Sequence, residues 1–352
     1  MAFLSGGDLS GGDPSREVDV GSGSIDELLS GVTWREPLVA DDGKSGNTLE
    51  RVEIDSARYV VKHQSVEADW IMRVTGDRVF WPHVLWRGGL FDQVPACIDH
   101  AVVAMALDGH GPGARLAIVM RDVGSSLIPE GDDAVPVAVH EGLLDDMAAL
   151  HVAFWGWRDD LGVQAMDQRL AMFAPATIAP ELHPPGGPDE VPVPIRVADE
   201  GWRRLPDVAP DLARLVLPFH HDPTPLIDAL ATTPVTFVHG DWKMGNLGRH
   251  PDGRTVLLDW AYPGAAPGCW DLMWYLALNR ARLPQSKEQS IERYRAGLEA
   301  GGIDTRAWWD RQLGLSLIAM MVVFGWEKAV GDPDELAWWE QRAMEASRWM
   351  VA

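Results

Sequence analysis

The stretch FVHGDWKMGNLG, residues 237–248, follows an apolar, β-branched run and carries four polar side chains within eight positions. The four are His239, Asp241, Lys243 and Asn246. A short apolar run that ends in turn-forming residues is typical of a buried strand. The sequence therefore predicts a strand followed by a polar loop, whose side chains either cap a turn or meet at a reacting atom.

A further aspartate lies at the end of the next apolar run. Asp259 comes thirteen residues after Asn246, within RTVLLDWAYPG, and the intervening LGRHPDGR is typical of a hairpin turn. Because strand, loop, hairpin and strand follow one another directly, we expect Asp241, Asn246 and Asp259 at the same end of a two-stranded unit.

These three oxygen-bearing side chains suit phosphoryl transfer. Mg²⁺ prefers oxygen ligands and takes few of them from the protein, so Asp259 and Asn246 can hold it on nucleotide phosphates. Asp241 then serves to orient or deprotonate the attacking hydroxyl. A lone HGD or PDG occurs in many ordinary turns, but their combination at this spacing, between two apolar runs, favours a catalytic site.

The composition sets wider limits. The chain has 352 residues, 46% of them hydrophobic, which is enough for one large domain or two lobes. Its formal charge is −22, from 30 Lys and Arg against 52 Asp and Glu. Because so acidic a surface repels phosphate backbones and anionic lipid, we expect neither nucleic acid nor a membrane as a partner.

Cysteine usage and hydropathy indicate a cytoplasmic protein. Cys97 and Cys269 lie far apart and predict no disulfide, and the first residues lack the cationic, apolar pattern of a signal peptide. The longest uncharged apolar run, residues 313–326, has fourteen residues, fewer than the roughly 20 that a bilayer span needs. This run predicts a buried core helix.

Along the chain the periodicity changes from strand to helix. Residues 1–30 predict a disordered tail, and residues 31–120 a small β-rich lobe with short helices. A polar, Gly-rich hinge or linker follows at 121–136. Residues 137–352 predict a larger, mainly helical lobe, in which His151 is a packed histidine rather than a ligand. The fold class is therefore α+β with two lobes.

The region around Asp241 resembles the catalytic and metal-binding loops of the aminoglycoside phosphotransferase and choline kinase families, a branch of the protein-kinase-like fold. Their H-G-D-x-x-x-x-N pattern is matched by His239, Gly240, Asp241 and Asn246. Their apolar strand end before the metal-binding aspartate is matched by Leu257, Leu258 and Asp259. The resemblance implies a two-lobed kinase fold that binds ATP and Mg²⁺ between the lobes.

The same resemblance assigns supporting roles in the larger lobe. PGCWDL corresponds in kind to the families' P-G-x-x-x-x-D-L, so Asp271 is the buried carboxylate that braces the catalytic loop, with His239 as a further structural support. Lys243, two residues after Asp241, is placed to reach the γ-phosphate. DGKSG, DWIMRVTGD and MRDVG are similar to an actinobacterial subgroup of these phosphotransferases.

In the smaller lobe the resemblance implies a nucleotide site. Lys62, near the end of RYVVKHQ, is the strand lysine that contacts phosphate. Ser45 and Gly46, in DDGKSGN, offer backbone N–H groups to phosphate oxygens. The adenine ring is expected against the backbone of the connector, near Met120 and Val123.

One feature of the families is absent. The strand lysine usually pairs with a glutamate about 15 to 20 residues later, and GDRVFWPHVLW contains none. Glu67 and Asp69 lie closer to Lys62 in the sequence, Asp77 is the next carboxylate, and His83 occupies a suitable helix position. The partner of Lys62 therefore stays open at this point.

The expected activity is transfer of the ATP γ-phosphate to a hydroxyl of a small molecule, namely an amino sugar, a sugar or an amino alcohol. The helices after Asp271 carry acids that can receive an amino group and tryptophans that can stack on a sugar or enclose a quaternary ammonium. These are Glu327, Asp332, Asp334, Glu335 and Glu340, and Trp308, Trp309, Trp326, Trp338 and Trp339. The favoured alternative is that these acids face solvent and these tryptophans form the core. The alternative function is a pseudokinase, a nucleotide-binding regulatory module without turnover.

Overall fold

The computed structural model describes residues 23–38 and 45–350, which form a small β-rich lobe and a larger helical lobe, as expected from the sequence. In chain order the elements of the smaller lobe are α1 (Ile25–Leu28), β1 (Val32–Leu38), β2 (Thr48–Ile54), β3 (Ala57–Ser65), α2 (Trp70–Thr75), α3 (Trp81–Arg87), β4 (Ile98–Asp99), β5 (Val102–Asp108) and β6 (Arg115–Arg121). Strands β1, β2, β3, β6 and β5 form an antiparallel sheet in that spatial order.

The β2–β3 hairpin determines which way Lys62 points. Its turn residues Asp55 and Ser56 have φ angles of 49° and 64°, the left-handed pair that matches the twist of a hairpin. Successive side chains in a strand alternate between the two faces of a sheet. Val61 packs into the apolar cluster on the outer face, so the neighbouring Lys62 projects from the opposite face, towards the larger lobe.

Part of the predicted tail is ordered. Residues 25–28 form helix α1, whose N-cap Ser24 makes a capping box with Glu27. Leu29, directly after the helix, is buried against the outer face of the sheet, and the Ile25 N–H donates to Asp108 at 3.0 Å. The tail prediction for 1–30 is thus wrong at its C-terminal end, because two apolar residues and a cap dock this segment. Residues 1–22 lie outside the described part.

The larger lobe follows a connector at 121–136. Its elements are α4 (Val137–Ala153), α5 (Met166–Ala171), α6 (Pro175–Ile178), α7 (Val193–Val208), α8 (Pro210–Val216), α9 (Thr224–Ala231), β7 (Thr236–Val238), β8 (Leu247–Arg249), β9 (Thr255–Leu257), β10 (Gly264–Ala266), α10 (Cys269–Leu278), α11 (Lys287–Ala300), α12 (Trp309–Val330) and α13 (Pro333–Ala346).

Helix α12 is the central element of the larger lobe. It has 22 residues, and its most apolar stretch has a mean hydropathy of 1.6, so by length and composition alone it could cross a membrane. However, 83% of that stretch is buried inside the protein. A Cβ added at Gly201 in α7 would collide with the carbonyl oxygen of Trp326, so the backbones of α7 and α12 cross closely. The predicted core helix is confirmed, and it extends well beyond residues 313–326.

The predicted strand–loop–hairpin–strand unit forms with a different pairing. Strands β8 and β9 make the expected antiparallel hairpin, with Leu247 opposite Leu257. Strand β7 is not part of that sheet, because it pairs with β10, which follows the second aspartate loop. The polar loop after β7 is therefore held between two small sheets rather than at the end of one.

Contacts on two sides of the cleft help to join the lobes. Strand β4 of the smaller lobe pairs in parallel with β9 of the larger lobe, and the Thr255 N–H donates to the Cys97 carbonyl at 2.9 Å. On the other side, Arg73 of α2 forms a bidentate ion pair with Glu181, at 2.6 and 2.7 Å. The cleft between the lobes thus has a hydrogen-bonded strand pair on one side and an ion pair on the other.

The Asp77 carboxylate holds the backbone at the start of helix α3. Its carboxylate accepts from the N–H groups of Val79 and Trp81, both at 3.0 Å. Burial raises the pKa of Asp77 to about 6, although these backbone hydrogen bonds favour the charged form. A carboxylate with a raised pKa in the folded state binds more protons there than in the unfolded chain. Its contribution to stability is therefore present below pH 4 and is lost as the pH rises through 6.

We expect Asp77→Asn to abolish the pH dependence of stability that Asp77 causes between pH 4 and pH 7, because asparagine does not ionise. That change is at most about 3 kcal/mol in the free energy of unfolding, the equivalent of the pKa shift. Val79 and Trp81 donate to separate oxygens of Asp77, and an amide has only one, so the variant also loses one hydrogen bond at every pH. Denaturant unfolding from pH 4 to 8 measures the pH dependence. The exposed Asp207→Asn is the control, and the same pH dependence in Asp77→Asn as in wild type would contradict the assignment.

Candidate active site

The polar loop after β7 is shaped by a glycine and braced by a buried carboxylate. Gly240 has a φ of +83°, and a Cβ there would collide with the carbonyl oxygen of Tyr262, so this position favours glycine. Asp271, in α10, accepts from the N–H groups of His239 at 2.9 Å and Gly240 at 2.8 Å. One side chain therefore fixes the backbone just before Asp241.

Asp271 has a second source of support. His151 of α4 contacts the Asp271 carboxylate at 3.2 Å and the Tyr294 hydroxyl at 2.6 Å. Burial works to raise the pKa of Asp271, but the His151 hydrogen bond, the nearby imidazoles and the Gly240 N–H outweigh it, and the pKa lies below its usual range. Asp271 is thus a fully buried carboxylate that stays ionised.

The Asp241 carboxylate is contacted by three donors. Trp274 Nε1 donates to Oδ1 at 2.9 Å, and Asn246 Nδ2 donates to Oδ2 at 2.8 Å. Lys243 Nζ lies 3.4 Å from Oδ2. Only 5% of the Asp241 side chain is exposed, whereas Lys243 is one-third exposed, so a nearly buried carboxylate lies beside a partly exposed ammonium group.

Asp259 follows β9 on the facing loop. Its φ of +60° is left-handed, a conformation that aspartate tolerates better than most residues. Lys62 Nζ contacts its Oδ1 at 2.8 Å, and 34% of the Asp259 side chain is exposed. Burial works to raise the pKa of Asp259, but the Lys62 charge and hydrogen bond, together with Lys243, lower it. Lys243 is thus close to both carboxylates.

The arrangement gathers the predicted residues at one cleft. Asp241, Lys243 and Asn246 come from the loop after β7, Asp259 comes from the loop after β9, and Lys62 reaches them from the sheet of the smaller lobe. The Asn246 carbonyl accepts from the Leu258 N–H at 2.9 Å, which ties the two loops together.

Comparison with known proteins identifies this architecture. No protein-family model and no curated protein sequence matches the chain. Among solved structures, a microcompartment-associated aminopropanol kinase matches with a TM-score of 0.52 and 12% identity, over 92% of this chain and 96% of that one. Choline kinase LicA from Streptococcus pneumoniae matches with a TM-score of 0.51 and 15% identity, over 93% and 97%. LicA has also been solved with AMP.

The chain has the fold of the small-molecule kinases. The match spans nearly the full length of each kinase, so both lobes take part in it. The two-lobed, protein-kinase-like fold predicted from the HGDWKMGN segment is thereby confirmed.

Within this kinase fold, the partner of Lys62 is not a helix glutamate. Its ion-pair partner is Asp259, and Lys62 also interacts electrostatically with Asp69. Burial raises the pKa of Asp69, and the Lys62 charge offsets part of that rise. Asp77 is engaged at the start of α3, and His83 is a half-buried residue of α3 whose pKa is lowered by burial.

Asp69 also joins the loop at residues 45–47 to α2. It accepts from the Ile71 N–H at 2.8 Å as the N-cap of α2, and from Asn47 Nδ2 at 2.7 Å. Gly46 has a φ of +92°, and a Cβ there would collide with the Ala68 carbonyl. The Ser45 carbonyl accepts from the Trp70 N–H at 3.2 Å. Ser45 and Gly46 thus lie directly against the start of α2, while residues 39–44 are outside the described part.

Met120 and Val123 lie at the junction of β6 and the connector. Met120 is in β6, opposite Val60 of β3, and Val123 follows the end of that strand. Both are half-buried. The connector then runs beside β8, where the Ile128 N–H donates to the Leu247 carbonyl at 2.9 Å.

Sequence reasoning missed two groups behind the loop. Trp274 lies one helical turn after Asp271, a spacing that places both on one face of α10. Arg169 of α5 is fully buried, with its guanidinium against Gly240 and Gly264 and over the Trp270 ring at 5.6 Å. Burial lowers the pKa of Arg169 to about 10. Only long-range packing brings this arginine to the loop, so no local pattern could have found it.

The acids suggested for an amino acceptor are mostly paired with cations. Asp332 binds Arg280 at 2.8 Å, and Glu335 binds Lys287 at 2.6 Å. Glu327 lies 2.6 Å from the buried Lys328. These three acids therefore form part of an ion-pair network near the start of α13, rather than an open site that could bind the amino group of an acceptor.

The tryptophans suggested for stacking are largely core residues. Trp309, Trp326 and Trp339 are buried in the larger lobe, whereas Trp308 and Trp338 pack at its edge. The alternative favoured by the sequence, tryptophans at helical spacing as core, is confirmed for the three buried rings.

We expect Asp271→Asn to lower the free energy of unfolding by about 2–4 kcal/mol. The single oxygen of an amide cannot accept from two backbone N–H groups and from His151, and at this buried site the unpaired donors have no water to replace it. Denaturant unfolding at pH 7 measures the change. The exposed Asp207→Asn should match wild type. A loss below about 1 kcal/mol in Asp271→Asn, within the range of a single net hydrogen bond, would contradict the bracing role.

Proposed function

We propose that this protein is a cytoplasmic, ATP- and Mg²⁺-dependent kinase that transfers the γ-phosphate to a hydroxyl of a small molecule. The observation that carries the proposal is the convergence of Lys62, Asp241, Asn246 and Asp259 at one cleft of a small-molecule-kinase fold. Phosphoryl transfer needs positioned oxygen ligands, a phosphate-binding cation and a carboxylate near the attacking hydroxyl, and each is represented here.

The nucleotide would be held from the smaller lobe. Lys62 projects from the sheet into the cleft, where a phosphate oxygen can replace Asp259 as its partner. Ser45 and Gly46 would supply backbone N–H groups at the close approach to α2, and Met120 at the end of β6, with Val123 of the connector, would supply backbone groups for the adenine ring. The AMP complex of LicA supports a nucleotide site in this fold.

The residues present fit a magnesium ion on the nucleotide. Asn246 uses its Nδ2 for Asp241, which leaves its amide oxygen as a ligand, and Asp259 uses one oxygen for Lys62, which leaves the other. The lowered pKa of Asp259 keeps it ionised at neutral pH. When bound, Mg²⁺ neutralises charge on the phosphates, and a hard cation of this kind takes its remaining ligands from phosphate and water.

Asp241 would position the acceptor hydroxyl. Its carboxylate is held by neighbouring donors, so it needs little reorganisation to accept the hydroxyl proton. Lys243, close to both carboxylates, places a positive charge where the transferred phosphoryl group gains negative charge. His239 and Asp271 act through the backbone of the loop.

The acceptor belongs to the small alcohols, with amino sugars, sugars and amino alcohols as candidates. The aminopropanol and choline kinases among the similar structures give the amino alcohols first place in a screen. ATP consumption with Mg²⁺ is measured for 1-amino-2-propanol, choline, ethanolamine and a panel of sugars and amino sugars. A Mg·ATP thermal shift without faster ATP consumption for any alcohol would favour the pseudokinase instead.

We expect Asp241→Asn to lower kcat by about 10²–10⁴-fold, the range for loss of a positioned acid or base, with little change in ATP affinity. Steady-state turnover with the best alcohol of the panel measures kcat, and titration calorimetry with Mg·AMP-PNP measures the affinity. The exposed Asp207→Asn should keep both values. An unchanged kcat in Asp241→Asn would refute the proposed base.

Asp259→Asn should act on binding instead. Removing its charge removes an ionic ligand of Mg²⁺, so we expect the thermal stabilisation by Mg·ATP to disappear. Thermal unfolding with and without Mg·ATP measures this, and Asp207→Asn again provides the comparison. Retention of the wild-type shift in Asp259→Asn would remove this residue from the metal site.

A further inference from the structure

Helix α10 carries two buried tryptophans, one turn apart, whose indole N–H groups meet different surroundings. Trp274 Nε1 donates to Asp241 Oδ1 at 2.9 Å. Trp270 Nε1 is buried and has no hydrogen-bond partner among residues 23–38 and 45–350. Both rings are almost inaccessible, at 3% and 1% exposure, and the Trp270 ring lies beneath the Arg169 guanidinium at 5.6 Å.

The Trp274 ring is fixed in place by aromatic neighbours. Phe324 of α12 packs edge-on against it, with centroids 4.7 Å apart, and Tyr262 lies at 5.7 Å. The ring therefore cannot rotate without displacing part of the core of the larger lobe. Its N–H is a preorganised donor, directed at one oxygen of one carboxylate.

Helix α10 contacts both the backbone of the catalytic loop and the side chain of Asp241. Asp271 holds the N–H groups of His239 and Gly240, and Trp274, three residues later, holds the carboxylate of Asp241. Asn246 holds the other oxygen of that carboxylate from within the loop. Because each oxygen has its own donor, rotation of the carboxylate would break a charge-assisted hydrogen bond on each side.

We propose that Trp274 is a positioning residue for Asp241. Its indole N–H sets the orientation of the carboxylate towards the acceptor hydroxyl, and it acts through Asp241 without touching substrate. The catalytic part of this inference rests on the proposed function, whereas the hydrogen bond itself does not, so the two can be tested separately.

A spectroscopic experiment tests the hydrogen bond without any substrate. In protein labelled with ¹⁵N-tryptophan, the Trp274 indole resonance is assigned by its absence in Trp274→Phe, or in Trp274→Tyr if the first variant does not fold. An N–H bound to a carboxylate resonates downfield, so we expect this signal to move upfield in Asp241→Asn while the Trp270 signal stays in place. An unmoved Trp274 signal would overturn the inference, whatever the activity of the protein.

A kinetic experiment tests the positioning role. Phosphate release from Mg·ATP, with water as the acceptor, is compared in wild type, Asp241→Asn, Trp274→Phe and the matched control Trp270→Phe. We expect kcat in Trp274→Phe to fall about 10- to 100-fold, the equivalent of one hydrogen bond to a charged group, at unchanged KM for ATP. Trp270→Phe, an equally buried change on the same helix, should stay near wild type.

The two experiments separate the possible failures. Wild-type kcat in Trp274→Phe, together with a large loss in Asp241→Asn, would overturn the positioning role and leave the proposed function intact. Equal losses in Trp274→Phe and Trp270→Phe would also overturn it, because they indicate a general packing effect. Wild-type kcat in Asp241→Asn would reject the proposed function, and the positioning role with it.

Discussion

The candidate site depends on one buried carboxylate. Asp271 accepts two successive backbone N–H groups at the tightest point of the loop, where Gly240 passes beneath the Tyr262 carbonyl. A buried charge is tolerated only when its hydrogen bonds are complete, and here two amides and an imidazole complete them. These bonds hold the backbone that leads directly into Asp241, and Asn246 then contacts the Asp241 carboxylate from within the same loop.

The two lobes contribute different kinds of order to the cleft. The larger lobe supplies rigidity, since the loop is packed between β10, α10 and the aromatic residues that surround α12. The smaller lobe supplies a regular hairpin, in which successive side chains point to opposite faces of the sheet. Because Val61 packs into an apolar cluster on one face, Lys62 points towards the cleft. The β4–β9 pair and the Arg73–Glu181 ion pair then set the position of one lobe on the other.

Local patterns in the sequence were sufficient for the fold and for the convergence of the site. The apolar runs, the PDG turn and the HGD spacing are short-range signals, and each corresponds to an element or a contact in the structure. The partner of β7, the burial of Arg169 and the hydrogen bond from Trp274 all depend on segments that meet only after folding. The pairing of Asp332 and Glu335 could not be predicted either, because their cations, Arg280 and Lys287, lie in segments far away in the sequence.

The ion pair between Lys62 and Asp259 has a thermodynamic consequence. Without ligands these two residues neutralise each other, each from its own lobe. A triphosphate that takes the lysine leaves an aspartate facing negative oxygens, and a divalent cation that takes the aspartate leaves a lysine beside positive charge. Asp259 repels the nucleotide when it binds alone, and Lys62 repels the cation when it binds alone, and in each case the other ligand removes the repulsion. Under the proposed function, cation and nucleotide therefore bind with positive cooperativity. Each raises the affinity of the protein for the other by the same factor. The single ion pair between Lys62 and Asp259 would be exchanged for two, lysine with phosphate and aspartate with the cation. The cleft would therefore select the complete complex of cation and nucleotide rather than either component.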